Sequence, residues 1–240
     1  MKYEELQNFL KNIGKDPSHL IFEDELTGIY NRRFLLNYFQ YKVPWDALQA
    51  QPLSLIMMDV DRFKQINDTY GHHVGDQTLI WVAVQLKEIA GEESLAIRYA
   101  GDEFMILMPH KEKKAALRLG EFLLQRVHEQ SVRLDESIQK RNDSLHISFS
   151  IGVASAPEDA QTGKGLIQMA DTALYYAKKT GRDRLANAAE IAPQDVFPKT
   201  ALYQLEKERI AGRRQQLAQV SDLLEKFSQG QNQFLKQRHF

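Results

Sequence analysis

Four carboxylates stand at two places where apolar runs end. Asp59 and Asp61 flank Val60 at the close of the run 53–58, and Asp102 and Glu103 sit in the turn Ala100-Gly101-Asp102-Glu103 between two further apolar runs. A carboxylate at the end of a buried strand is costly to desolvate unless something compensates its charge. A divalent cation is the natural compensator, because hard cations take oxygen ligands. Two such sites in one small domain point to metal-assisted phosphoryl chemistry. Taken singly, each piece has an ordinary explanation. Asp-Glu in a hairpin turn is commonly a solvated turn, and Asp-x-Asp after a strand commonly caps a helix or enters a loop. For Asp61 the helix N-cap is the preferred reading.

The elements that must position these carboxylates can be read from periodicity and punctuation. Asn31 caps a helix reaching about residue 40, and Pro44 and Pro52 interrupt the stretch between that helix and the first apolar run. Residues 53–58 have the length and apolarity of a central strand. Residues 62–70 form a short helical turn, Gly71 and Gly75 bracket a loop, and 76–90 is a helix with Leu79, Val82, Ala83 and Leu86 inward. A hairpin comes next, 95–99 and 103–108, stopped by Pro109. Then come a helix at 111–129, an alternating strand at 146–154 and a helix at 162–179 ended by Gly181. Residues 186–198 read as a connector. The expected fold is α/β, with a mostly antiparallel central sheet, helices on both faces and the acidic turn at one sheet edge.

Composition sets bounds. The chain has 240 residues, 43% hydrophobic and 26% charged, with a net charge of −1. That balance gives no general attraction to nucleic acid or anionic membranes. Without cysteine there are no disulfides, thiolate metal sites or Cys nucleophile. No apolar run approaches the roughly 18 residues of a membrane span, and the polar, amphipathic N-terminus is not a signal peptide. A cytoplasmic location is the expectation. Residues 1–20 read as a helix and linker, with Leu6, Phe9, Leu10 and Ile13 on one face, and 187–240 as a helical extension. In that extension Tyr203, Ile210, Leu217 and Leu224 recur every seven residues, with Val220 and Phe227 beside them, too few heptads for a coiled coil.

The motifs taken together resemble the GGDEF domains, the bacterial diguanylate cyclases. The likeness runs through D-E-L-T-G-I-Y-N-R-R-F at 24–34, D-V-D-R-F-K-Q-I-N-D-T-Y-G-H-H-V-G-D at 59–76, A-G-D-E-F at 100–104, S-I-G-V-A at 150–154 and A-D-T-A-L-Y-Y-A-K-K-T-G-R-D-R at 170–184. Five such segments in order, over about residues 21–186, make chance resemblance remote. The resemblance implies a fold like nucleotidyl cyclases and polymerase palms, and a reaction joining two GTP into cyclic di-GMP with release of two pyrophosphates. It implies Mg²⁺ or Mn²⁺, two per active site, held by Asp59, the Val60 carbonyl and Asp102, with Glu103 as a further metal or proton-handling carboxylate. It makes Lys64 a charge on the transition state, Asn67 and Asp76 readers of guanine, His72 a nucleotide contact, and Lys178 and Arg182 the cations on the β- and γ-phosphates. Lys178 and Arg182 are four apart at the end of a helix and its cap, so both can face the same way; without the resemblance they read as charges complementing a helix C-terminus. His73 is expected to be solvated and Phe63 to be core. A homodimer is implied too, since each chain has one set of GTP-binding residues and the product needs two GTP.

Two departures matter. Ala100 replaces the first glycine of the signature, which strains the turn if that backbone needs φ > 0. The product-inhibition motif of the family, R-x-x-D, would fall on Gly91-Glu92-Glu93-Ser94, so its Arg and Asp are absent. The leading expectation is an active cyclase without that feedback site. The alternative is a catalytically inactive GGDEF module that binds GTP or a partner protein.

Overall fold

The computed structural model describes residues 21–41, 51–132 and 144–191. The strands are β1 (Tyr30–Asn31), β2 (Leu53–Val60), β3 (Leu95–Ala100), β4 (Glu103–Pro109), β5 (Phe149–Ala156) and β6 (Arg184–Asn187). The helices are α1 (Arg32–Tyr41), α2 (Phe63–Tyr70), α3 (His72–Ala90), α4 (Lys113–Glu129) and α5 (Gly163–Lys179), with a 3₁₀ turn at Ala188–Glu190.

The six strands form one sheet in the order β1-β3-β4-β2-β5-β6. β2 runs antiparallel to both β4 and β5, and β3 and β4 form an antiparallel hairpin. The two outer pairs, β1 with β3 and β5 with β6, are parallel. Every residue of β2 and of β5 is buried. Both faces of β2 are covered, which is why it reads as a nearly continuous apolar run; β5 is equally buried but keeps the alternation of its serines with apolar residues. Alternate residues go to opposite faces. Ile56, Met58, Phe104 and Ile106 join Leu79, Val82 and Leu86 of α3 and Leu123 of α4. Leu55, Met57, Met105 and Leu107 join Leu35 and Phe39 of α1 and Leu166 and Leu174 of α5.

Gly152 sets how closely α5 lies on the sheet. A Cβ there would come within 2.2 Å of the Ala170 carbonyl oxygen and the Leu174 nitrogen. Only a glycine in β5 lets the helix backbone seat directly on the strand, and that seat fixes where the end of α5 emerges.

The expected fold class holds, with local differences. Gly71 and Gly75 do not bracket a loop: α3 begins at His72 and contains Gly75, and Gly71 (φ 87°) alone separates it from α2. The stretch expected to be a connector from 186 holds the end of β6 and the 3₁₀ turn. Neither β6 nor the two-residue β1 has enough residues for a periodicity to register. The acidic turn lies at the ends of interior strands, because β1 flanks β3. The amphipathic segments expected before residue 20 and after 199 fall outside the described residues. Among the described residues, no helix is long and apolar enough to cross a membrane.

Candidate active site

The antiparallel register of β2 and β4 sets Asp59 directly opposite Glu103. Like charges opposite each other on adjacent strands repel, and both groups are largely withdrawn from water. Burial pushes the Asp59 carboxyl up to about 6, against the hydrogen bond and charge of Lys178, with Asp102 and Asp61 adding to the rise. Burial and then the Asp59 charge push Glu103 up to about 7, with Asp171 and Asp102 adding and Lys178 opposing. Lys178, in the last turn of α5, reaches Asp59 Oδ2 at 2.6 Å. The site is thus a cluster of carboxylates drawn out of water, with Lys178 paired to Asp59.

The turn that presents Asp102 is braced from two sides. The Val60 N–H donates to the Asp102 carbonyl at 3.2 Å. Arg98 of β3 donates from Nε to the Gly101 carbonyl at 2.9 Å and from Nη1 to Asp24 Oδ1 at 2.9 Å. Asp24 in turn closes its own loop by accepting from the Thr27 amide and hydroxyl at 3.0 and 2.7 Å. Ala100 is not a strained position. Gly101 takes the left-handed conformation (φ 51°), whereas Ala100 is the last residue of β3 and is not among the positive-φ residues. The turn needs its second glycine for conformation; the first can carry a methyl group.

On the other side of β2, Asp61 is not a helix N-cap. Arg62 occupies that position, and no side chain caps α2. Asp61 is 7% exposed. It accepts from Ser148 Oγ at 2.8 Å, Ser150 Oγ at 2.6 Å and the Asp183 amide at 3.0 Å. Buried carboxylates need such donors, and the strand geometry supplies them: Ser148 and Ser150, two apart, project to the same side. The alternation of hydroxyls in H-I-S-F-S-I was the sequence signal for this.

The α2–α3 corner presents another group of expected residues. Lys64 is exposed in the first turn of α2, and His72, His73 and Asp76 are exposed at the start of α3. His73 is solvated as expected, and Phe63 packs partly buried against the core. Asn67 lies against Gly75, whose missing side chain makes room for it: a Cβ there would meet Asn67 Oδ1 at 1.9 Å. That oxygen is buried with no hydrogen-bond partner. Buried polar atoms are almost always satisfied, so this orphan marks Asn67 as an unpaired polar group of the corner.

Arg182 lies beyond α5, which ends at Lys179. It is exposed and left-handed (φ 63°), in a turn with Gly181 and Asp183. The helical spacing that groups Lys178 with Arg182 on the sequence therefore does not apply. The turn, not a shared helix face, directs the Arg182 side chain. Two other residues escaped the sequence reading: Asp171, whose charge acts on Glu103, and Arg98, the brace of the signature turn.

Among the described residues, no three His, Cys, Asp or Glu side chains converge closely enough to hold a metal ion by themselves. The donors present are hard oxygens, and Asp59 and Glu103 face each other across adjacent strands with Lys178 on Asp59. This suits an ion like Mg²⁺, which is commonly held by one or two carboxylates and completed by substrate phosphates.

Comparison with known proteins places this arrangement. The family model described as "Diguanylate cyclase, GGDEF domain" matches residues 21–184. The response regulator PleD of Caulobacter vibrioides is 32% identical over 182 residues, covering 76% of this chain and 39% of PleD. The diguanylate cyclase DosC of Escherichia coli is 35% identical over 167 residues, covering 70% of this chain and 35% of DosC. The chain thus spans less than two-fifths of the length of either relative. Among solved structures, the GGDEF domain of DgcB from Caulobacter crescentus, determined in complex with c-di-GMP, superposes with a TM-score of 0.62 at 29% identity, covering 70% of this chain and 96% of that one.

Proposed function

The chain belongs to the GGDEF domain family, and from that membership we propose that it is an active diguanylate cyclase, condensing two GTP into cyclic di-GMP and releasing two pyrophosphates. The observation that carries this reading is the cross-strand pair Asp59–Glu103, two carboxylates set opposite each other at the end of β2, with Lys178 reaching Asp59. On this reading the domain spans residues 21–186.

In the reaction, the 3′-hydroxyl of each GTP attacks the α-phosphorus of the other, and pyrophosphate leaves. Asp59, the Val60 carbonyl, Asp102 and Glu103 would hold Mg²⁺ or Mn²⁺, two ions per site. Such ions supply charge neutralisation on the triphosphate and acidify the attacking hydroxyl. Glu103 is one carboxylate in place to take the hydroxyl proton, as general-base catalysis of the attack requires. Asp102 is the other carboxylate in place for that proton. Lys178 would exchange its pairing with Asp59 for the incoming phosphates, joined by Arg182. Lys64 would offset charge developing in the transition state. Asn67, with its unsatisfied oxygen, and Asp76 would read guanine, whose N1–H and N2–H adenine lacks. His72 would contact the nucleotide.

Since one chain holds one set of these residues, two protomers must face each other, at least transiently. Product feedback through the usual motif is not expected: Gly91 has no side chain, and Ser94 is buried.

The test is direct. Pure protein incubated with GTP and Mg²⁺ should yield cyclic di-GMP by chromatography, with specific activity rising with protein concentration. Absence of product, with GTP still bound, would favour the inactive-module alternative. A rate per protomer that stays flat across the dimerisation range would contradict the facing-site requirement.

A further inference from the structure

We infer that Asp61 is a positioning residue that ties the turn carrying Arg182 to the end of the strand carrying Asp59. This rests on the cyclase reading above, in which Arg182 serves the triphosphate and Asp59 the metal.

The turn after α5 is unfavourable on its own. Gly181, Arg182 and Asp183 take φ values of 132°, 63° and 48°. Two consecutive non-glycine residues in the left-handed region persist only where the surroundings impose them. Local bonds hold part of the turn: the Arg182 amide donates to the Ala177 carbonyl at 3.0 Å, and the Thr180 hydroxyl to the Tyr176 carbonyl at 2.9 Å. On its outer side, Asp183 Oδ1 meets His128 Nε2 at 2.6 Å. The Asp183 amide bonds back across the fold to Asp61 Oδ2 at 3.0 Å.

Asp61 is itself fixed. Its carboxylate accepts from Ser148 and Ser150, and its amide donates to the Ser148 carbonyl at 2.9 Å. It lies two residues beyond Asp59, just past the end of β2. A charged acceptor thus holds the left-handed pair at a set distance from the metal carboxylates. Charge-assisted bonds of this kind are roughly twice as strong as neutral ones. Without the anchor the turn can relax toward ordinary backbone conformations, and Arg182 moves with it.

The measurement is a double-mutant cycle on nucleotide affinity. The probe is 3′-deoxyguanosine triphosphate with Mg²⁺, which lacks the attacking hydroxyl and so binds without turnover. Asp61→Asn keeps the shape but offers one acceptor oxygen where three donors converge. It should weaken binding about tenfold in the native background, the equivalent of ~1.4 kcal/mol. In an Arg182→Ala background it should weaken binding less than twofold, because there is no cation left to misplace. Hydrogen exchange of the nucleotide-free protein should speed up at residues 181–184 and not within β2 or β5. Should Asp61→Asn fail to fold, Ser150→Ala, which removes one brace from the carboxylate, is read in the same cycle. Equal losses in both backgrounds, unchanged affinity, or exchange accelerated throughout the sheet would overturn the inference. If the unsubstituted protein does not bind the nucleotide, the cyclase reading falls and the inference falls with it; additive losses in a protein that binds normally overturn the anchor alone.

Discussion

Glu103→Gln should stabilise the metal-free protein at neutral and alkaline pH. In the fold, burial and the facing Asp59 raise the Glu103 carboxyl from its ordinary 4.5 to about 7. A carboxyl with a raised folded-state pKa favours folding in its protonated form. Its contribution is complete below pH 4.5 and is lost as pH rises to and through 7. At about 1.4 kcal/mol per tenfold change in proton affinity, the ceiling on that loss is ~3 kcal/mol. Residual exposure to water and the coupled titration of Asp59 reduce it to about 1–2 kcal/mol. Gln keeps the shape and carries no charge, so the variant escapes this loss. The assay is urea denaturation of the metal-free protein and variant from about pH 5 to 8. The variant's advantage should be near zero at about pH 5 and grow to about 1–2 kcal/mol at about pH 8. Saturating Mg²⁺ should shrink or reverse it, because the cation then offsets the charge that Gln lacks. A variant less stable than the native protein at the alkaline end without metal, or an advantage independent of pH, would refute the reasoning.

Other outcomes rest on the same geometry. Asp59→Ala and Asp102→Ala should each lower the cyclisation rate about a thousandfold or more while the protein stays folded; retention of more than a tenth of the rate by Asp102→Ala, only ~1.4 kcal/mol of barrier, would remove it from the ligand set. Asn67→Ala should raise KM for GTP at least about tenfold, roughly the worth of a hydrogen bond to a buried polar partner, yet cost little stability, since its Oδ1 has no partner in the free protein; thermal melting beside steady-state kinetics separates the two effects. Gly152→Ala should destabilise by about 1–3 kcal/mol or more, because its methyl group meets helix backbone at 2.2 Å; a loss under ~0.5 kcal/mol by denaturation would show that α5 can yield. Micromolar cyclic di-GMP should leave the initial rate nearly unchanged, whereas tight calorimetric binding with non-competitive inhibition would reveal a second product site elsewhere.

The sequence alone determined the order of the longer strands and helices, the two apolar faces of the sheet and the types of residue at the site. It could do so because those signals are local: period two in 146–154, period 3.6 in 76–90, and carboxylates at strand ends. Asn31 was legible as a cap for the same reason, and its Oδ1 accepts the Phe34 amide at 3.0 Å. The tertiary structure alone decided which groups face each other. Asp59 opposes Glu103 because of the β2–β4 register, which no local pattern specifies. Asp61 left its expected place as a cap because donors 87, 89 and 122 residues away converge on it and outcompete the N-terminus of α2. Arg182 owes its direction to a left-handed turn held by that same carboxylate, where the sequence offered only helical spacing. Ala100 could be judged only from backbone geometry: which residue of a turn takes positive φ depends on how the flanking strands pair, and here the demand falls on Gly101.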